Sequence, residues 1–314
     1  MAPLLETPID QRVAGRCPLC RRGQAPVIEV LNTDELVALW HKHFAIDIRE
    51  DVGVVRRVAR RACPLCELEF CDPPVTACGR VYAALRTRDW YYQEDKWEYD
   101  MAIRDIPAGA KVAEVGCGDG HFVARLSAER NCDVTGLELN PDAVSSARAR
   151  GRPVVLESVS DRALREAGRY DIVSAFQVLE HVPDPFDFIG NCCRLLKPGG
   201  LLILSVPNNR SFLRYAETPI LNLPPHHVTR WSRGVFDHLS ASFPVCVERV
   251  KYEPLAADHL NWYANVQLAR LPWITGITGP FVSVMRTVAV PLARRTGMYR
   301  LLRGHSVYVR LKRC

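Results

Sequence analysis

The sequence predicts an α/β fold: a mostly parallel sheet covered by helices on both faces, preceded by a small cysteine-rich module. Three observations carry this. The run Val112-Ala-Glu-Val-Gly-Cys-Gly-Asp-Gly120 reads as a short buried strand followed by three alternating glycines. Apolar strands then alternate with amphipathic helical stretches as far as Val206, the pattern of a parallel sheet joined by crossover helices. Two copies of Cys-Pro-Leu-Cys, Cys17–Cys20 and Cys63–Cys66, stand ahead of that alternation.

Taken in order, the first strand ends at Val115, and Gly116, Gly118 and Gly120 carry no side chain that would keep a ligand off the backbone. A tight turn after a strand also uses glycine, so the second strand and its terminal residue decide between the two uses. Asp133–Leu137 reads as that second strand, ending in Glu138, about 20 residues beyond the glycines, where a carboxylate can accept from both ribose hydroxyls of an adenosine. Asn140-Pro141 starts a helix, with Asn as N-cap and Pro at the first position. Val154–Leu156 is a third strand and Asp171–Phe176 a fourth. Asp184-Pro185 opens a helix that closes at Leu196-Lys-Pro-Gly-Gly200, and Leu201–Val206 is a fifth strand. Val245–Lys251 and Gly304–Leu311 read as two further strands.

The run Glu114-Val-Gly-Cys-Gly-Asp-Gly120, with Phe176-Gln-Val-Leu-Glu-His-Val182, Leu196-Lys-Pro-Gly-Gly200 and Val206-Pro-Asn208 in order, resembles the motifs of class I S-adenosylmethionine (SAM) methyltransferases over about residues 90 to 250. The resemblance implies a Rossmann-like seven-stranded sheet whose last strand runs antiparallel between strands five and six. It implies a SAM site at Glu114, Gly116, Cys117, Gly118, Gly120, Glu138, Leu139 and Gln177. Trp90–Tyr99 would then hold a helix over the cofactor pocket; packing of aromatics at helical spacing accounts for the same pattern.

A C-x-x-C turn aims two thiolates at one point, and two such turns complete a tetrahedral zinc shell of Cys17, Cys20, Cys63 and Cys66. A redox dithiol is the competing use of one C-x-x-C. The 42 residues between Cys20 and Cys63 exceed ordinary zinc-ribbon spacing, so the insert must fold back. Asn32-Thr-Asp-Glu35 is a capping-box start, and Leu36, Val37, Leu39, Trp40 and Phe44 form one helical stripe. Cys71 and Cys78 lack ligand spacing and read as core or surface thiols. The basic run Val54–Arg61 reads as a solvated face, with a phosphate-bearing ligand as the rival use. The expected organisation is a zinc-ribbon-like module over 1–89 and a methyltransferase domain over 90–314, with an inserted helical segment at about 255–303.

The chain has 314 residues, 48% hydrophobic and 24% charged, with a net charge of +6. That balance is globular and permits an anionic partner without demanding nucleic acid. Met1–Gly15 carries Glu6 and Asp10 and lacks an apolar core, so no secretory signal is expected and the cytoplasm is the expected location. There, twelve cysteines point to metal before disulfides. The uncharged stretch Trp273–Met285 is too short and broken to span a bilayer. With Arg286, Arg294 and Arg295 it could lie on a membrane surface over 273–295 or serve as a substrate lid or dimer contact.

Methyl transfer to a hydroxyl needs a positioned acceptor and a base beyond the carboxyl ends of the strands. Two places qualify: His181, after strand four, and the His226-His227 pair behind Pro224-Pro225, with Thr229–Ser232 expected to begin an anchoring helix. The pair is the first choice and His181 the second, because two imidazoles behind a rigid Pro-Pro stand near where the methyl should emerge. Gln177-Val-Leu-Glu-His181 also resembles the Glu-x-x-Glu-His metal-binding stretch of small-RNA 2′-O-methyltransferases and some ubiquinone-pathway O-methyltransferases, except that Gln177 replaces the first acid and removes a charged ligand. The chain as a whole resembles bacterial methyltransferases with a four-cysteine module associated with cell-surface glycan pathways, which implies O-methylation of a sugar, glycolipid or related small molecule. Two other functions compete. One is an RNA methyltransferase, since a 23S rRNA guanine methyltransferase begins with a similar Cys-Pro-Leu-Cys. This chain lacks the Asn/Asp-Pro-Pro-Tyr/Phe motif of many base N-methyltransferases. The other is a non-catalytic, zinc-stapled SAM-binding scaffold.

Overall fold

The computed structural model describes residues 15–88, 91, 94–216, 219–270 and 285–314. The module begins with a hairpin of β1 (Gly15–Arg16) and β2 (Gln24–Ala25) that carries the first cysteine pair. β3 (Val27–Asn32), β4 (Arg57–Ala62) and β5 (Glu69–Asp72) form an antiparallel sheet, with α1 (Thr33–Phe44), α2 (Arg49–Val52) and α3 (Gly79–Arg86) beside it. The foldback between the cysteine pairs is therefore a strand, a helix and a returning strand. Asn32 caps α1 as expected, its Oδ1 accepting from the Asp34 amide at 2.8 Å. The basic run became β4, where Arg60 pairs with Glu29 and Glu69 and Arg61 with Asp72.

The larger sheet has seven strands in the order β12-β13-β10-β9-β6-β7-β8. These are β6 (Lys111–Val115), β7 (Asp133–Glu138), β8 (Val154–Leu156), β9 (Tyr170–Phe176), β10 (Leu196–Pro207), β12 (Val245–Pro254) and β13 (Arg303–Arg313). Only β13 runs against the others, between β10 and β12, as the resemblance implied. The Leu196–Gly200 stretch closes the preceding helix and belongs to the start of β10, whose register shifts between Leu196 and Leu201. Alternation along the strands sorts side chains into two cores. Val112, Ile172, Ile203 and Tyr308 face α4 (Trp97–Asp105), α5 (His121–Arg130) and α6 (Pro141–Ala149). Ala113, Val173, Leu204 and Val309 face α7 (Val159–Arg165), α8 (Pro185–Leu195) and α9 (Arg233–Asp237).

The two regions share structure. β11 (Thr229–Arg230) pairs antiparallel with β5, Thr229 opposite Phe70 and Arg230 opposite Glu69, so the module's sheet becomes four-stranded, in the order β11-β5-β4-β3. The helix expected from Thr229 therefore starts only at Arg233, because the backbone of Thr229 and Arg230 is committed to that ladder. Cys17, Leu19, Leu68 and Phe70 bury in the same core as Val206, Trp231 and Phe236. Trp40, fully buried in α1, donates its indole N–H to the Pro224 carbonyl at 3.2 Å.

After β12 the inserted segment contributes α10 (Leu260–Ala269) and a helix at Val290–Thr296. Residues 271–284, which hold nearly all of the uncharged stretch, lie outside the described residues. Among the described residues no helix is long and apolar enough to cross a membrane.

Candidate active site

β6 is the point at which strand order reverses, with β7 on one side and β9 on the other. In open α/β sheets a ligand crevice forms there, outside the carboxyl ends of the strands. A cavity of about 1120 Å³ opens at this place, and Gly116, Cys117, Gly118, Glu138, Leu139 and Gln177 all line it. Gly116, Gly118 and Gly120 have φ of +70°, +55° and +73°, a region that other residues enter only with strain. A Cβ on Gly116 would sit 2.5 Å from Val178. Gly120 packs against Val154 and Arg152, and buried Glu114 sits in β6 ahead of the glycine loop; neither lines the cavity.

Glu138 holds this loop. Its Oε2 accepts from the Gly118 amide at 2.8 Å, and its Oε1 from the amides of Leu139 and Asn140 at 2.8 Å each. The carboxylate is thereby aimed from the end of β7 with acceptor capacity remaining. Asp119 in the same loop pairs with Arg86 of α3, so the module also braces the glycine loop. Gln177 has φ +56° and donates from Nε2 to Glu98 Oε1 at 3.1 Å; α4 thus brings a buried carboxylate beside the position where the acid is missing.

The three candidate histidines converge although His181 lies 45 residues from His226. Their rings stand 4.5 to 4.8 Å apart, His226 and His227 stacked and His181 edge-on to both. Each Nδ1 has a carbonyl-type acceptor: His181 the His226 carbonyl at 2.6 Å, His226 the Leu221 carbonyl at 2.8 Å, and His227 Asn222 Oδ1 at 3.2 Å. In the neutral state this puts the proton on Nδ1 and the lone pair on Nε2. Tyr91 donates its hydroxyl to His226 Nε2 at 2.6 Å. Nε2 of His181 and of His227 each lie 3.9 Å from Glu180 Oε1. Glu180 is buried, its Oε2 has no partner, and burial pushes its carboxyl up to about 8. Tyr82, from α3, approaches His181 Nδ1 at 3.2 Å.

Neither the approach of Glu180 to the Nε2 atoms of His181 and His227 nor the contributions of Tyr82 and Tyr91 could be read from spacing. They depend on the module folding over the acceptor loop. Aromatic residues ahead of the first strand were the only trace of it in the sequence.

Ligating atoms of His181, His226 and His227 all lie within 4.8 Å of one another. These three imidazoles are a donor set that fits a divalent cation, with Glu180 Oε1 3.9 Å from two of them, and the acceptors on Nδ1 are the outer partners that orient metal-binding imidazoles. The four cysteines also converge, buried, with Cys17 Sγ 3.6 Å from Cys66 and Cys20 Sγ 3.7 Å from Cys63. A tetrahedral zinc with Zn–S near 2.3 Å needs sulfurs about 3.8 Å apart.

Strand, glycine loop, the acid at the end of β7 and a wide cavity are the arrangement expected of the cofactor half of a class I methyltransferase. Residues 78–276 match the methyltransferase domain family, and the chain belongs to that family. Curated relatives include a ubiquinone biosynthesis O-methyltransferase of Xanthomonas oryzae, 44% identical over 120 residues that make up 35% of this chain and 48% of the relative. Another, from Vibrio parahaemolyticus, is 37% identical over 116 residues, 35% of this chain and 49% of that one. The chain spans about half the length of the curated relatives it matches. Among solved structures, one of a putative sarcosine dimethylglycine methyltransferase from Galdieria sulphuraria covers 74% of this chain and 86% of its own, with 18% identity and a TM-score of 0.46. A SAM-dependent methyltransferase from Mesorhizobium loti covers 70% of this chain and 100% of its own, with 18% identity and a TM-score of 0.48.

Burial holds all three imidazoles below the ordinary histidine range, His181 to about 4. The unfolded chain takes up these protons near pH 6.5 and the folded chain only well below it. Their contribution is therefore intact above about pH 6.5 and is lost as pH falls toward 4. Glu114 and Glu180, pushed up to about 8 by burial, titrate in the opposite sense. The test is a difference: measured by urea unfolding from pH 7.5 to 5, wild type should lose stability relative to His227→Asn. Parallel pH profiles would contradict neutral burial of His227.

Proposed function

We propose that the chain transfers a methyl group from SAM to a hydroxyl of a sugar, glycolipid or related small molecule. The observation that carries this is the histidine cluster: three neutral imidazoles with oriented lone pairs in the same cavity as the glycine loop. When bound, SAM supplies a methyl on a sulfonium that leaves readily as a thioether. The chain's own part is to hold the acceptor in line, exclude water and accept the hydroxyl proton. His227 is the base, because its Nε2 is open toward Glu180 while that of His226 already accepts from Tyr91. His181 faces Glu180 in the same way and is the second candidate. The O-methyltransferase names of the curated relatives support oxygen as the methylated atom, and the engagement of Arg60 and Arg61 by acids weakens the RNA alternative.

A second reading is favoured by Glu180. A divalent cation held by Glu180, His181 and His227, with His226 joining only if Tyr91 releases its Nε2, would polarise the acceptor oxygen as a Lewis acid. The cysteine site is read as structural zinc, closed by four thiolates and catalysing nothing itself. Its role is to fix the module that carries Tyr82 and the strand partner of β11, with Tyr91 just beyond it.

Glu138→Ala removes the carboxylate read as the ribose acceptor and the brace of the glycine loop. SAM binding should weaken by about 1.5–3 kcal/mol or more by calorimetry, and wild-type affinity would reject the assignment.

Protein purified without chelator should contain one zinc per chain, and Cys63→Ser should lose it. Acceptor turnover should suffer more than SAM affinity. Absence of zinc, or full metal content in the variant, would sink the idea. A second equivalent of bound divalent metal that survives in Cys63→Ser and disappears in Glu180→Gln would favour the cation reading.

His227→Ala should cut turnover roughly 10²–10⁴-fold with SAM affinity almost unchanged. Near-normal turnover in both His226→Ala and His227→Ala, with loss only in His181→Ala, would move the base to the loop after β9. Loss of SAM binding in the loop variants would assign them to the cofactor pocket.

A further inference from the structure

The cavity does not end at the three histidines. Its far wall is made where β12 and β13 meet α10, and carries Glu253, His259, Trp262, His305 and Ser306. Because β13 runs antiparallel, its beginning lies beside the end of β12, on the cofactor side of the sheet. Glu253 Oε2 accepts from the Ser306 amide at 3.2 Å and lies 3.4 Å from His305 Nδ1. Gly304 lets these strands close up, since a Cβ there would stand 3.0 Å from Glu253 Oε2. The His259 ring is edge-on to His305 at 4.7 Å and to Trp262 at 5.7 Å. Trp262, braced by Phe212 at 4.9 Å, remains 36% exposed and borders the cavity.

None of these groups has a role in cofactor binding or in the proton transfer described above. Burial lowers both imidazoles and raises the Glu253 carboxyl, so the wall is polar with little charge. Neutral imidazoles beside a carboxylate make a poor seat for phosphate, which needs fixed cations. The wall is also a poor seat for a wholly apolar group, because its polar atoms would be left unpaired. An indole at the edge of a row of hydroxyl-competent acceptors and donors suits a ring with one apolar face and a polar rim.

We propose that this wall is the acceptor subsite, and that it takes a pyranose ring packed on Trp262 with its hydroxyls on Glu253, His259 and His305. The ring's methylated hydroxyl is thereby turned toward His181 and His227. This rests on the reading of the enzyme as an O-methyltransferase of a hydroxylated acceptor. It adds the residues that select the acceptor.

The test uses the full chain saturated with S-adenosylhomocysteine. A mixture of methyl pyranosides (gluco, galacto, manno, rhamno and fuco) and a catechol is probed by saturation-transfer NMR. At least one pyranoside should bind. Its affinity should fall about tenfold or more in Trp262→Ala and in Glu253→Gln, hold in Trp262→Phe, and leave S-adenosylhomocysteine affinity unchanged in all three. Glu253→Gln carries the test should Trp262→Ala fail to fold. Binding of the catechol alone, binding of none of the probes, or pyranoside binding indifferent to Glu253→Gln would overturn the subsite. Methyl transfer to catechol without pyranoside binding would overturn it while sparing O-methyl transfer. Pyranoside binding that needs Trp262 and Glu253, in an enzyme that methylates only nitrogen or carbon, would uphold the subsite and overturn the proposed reaction.

Discussion

The histidine cluster depends on the pairing of Thr229–Arg230 with Glu69–Phe70. That short ladder fixes both ends of a chain of contacts. Next to it, the Cys71 amide donates to the Val228 carbonyl at 2.8 Å and the Ala77 amide to the Pro225 carbonyl at 2.8 Å. On the other side, the Val228 amide donates to the Glu180 carbonyl at 2.9 Å, and the Thr229 hydroxyl to the Leu179 carbonyl at 3.0 Å. The loop bearing His226 and His227 is therefore held between the module and the turn after β9. A loop fixed on both flanks can keep several imidazoles in one orientation, which a free loop cannot do without a large cost in conformational entropy.

This arrangement gives the cysteine module a reason to be attached to a methyltransferase. The cysteine cluster is buried within the core that also contains Trp231 and Phe236. A second shared core joins Leu36, Trp40 and Val58 of the module to Ile220 and Val228 beside the acceptor loop. Loosening the cysteine cluster would act on the loop bearing His226 and His227 through packed side chains and backbone ladders, while the glycine loop and Glu138 stand on β6 and β7. The two halves of the site thus have different supports. Arg86 is one cross-link between them, through Asp119.

Much of the cofactor half was legible because it is local. Strand, glycines and helix follow one another in the chain, and Glu138 is one strand further on, so spacing reports geometry directly. The antiparallel seventh strand followed from resemblance. Around the acceptor, His181 and the His226-His227 pair were identifiable as residue types at strand ends. Their convergence was not, since it is set by β11 joining a sheet built from residues 27–72. The expected helix at Thr229 failed for the same reason: a two-residue ladder to a distant strand holds Thr229 and Arg230 extended, and Ser232 stands at the N-cap of the helix that starts at Arg233.

The sequence by itself determined the succession of the seven strands of the larger sheet, the glycine loop, the acid at the end of β7 and the pairing of two cysteine knuckles. Each rests on periodicity or on spacing within one or two elements. Tertiary structure alone decided that Glu180 faces two imidazole lone pairs, that Tyr91 occupies a third, that Glu98 stands beside Gln177, and that Glu253, His259 and His305 form a wall of the same cavity. The most distant of these pairs, Tyr91 and His226, stand 135 positions apart in the chain. A linear pattern carries no register for such contacts until the sheets have formed and fixed which ends lie together.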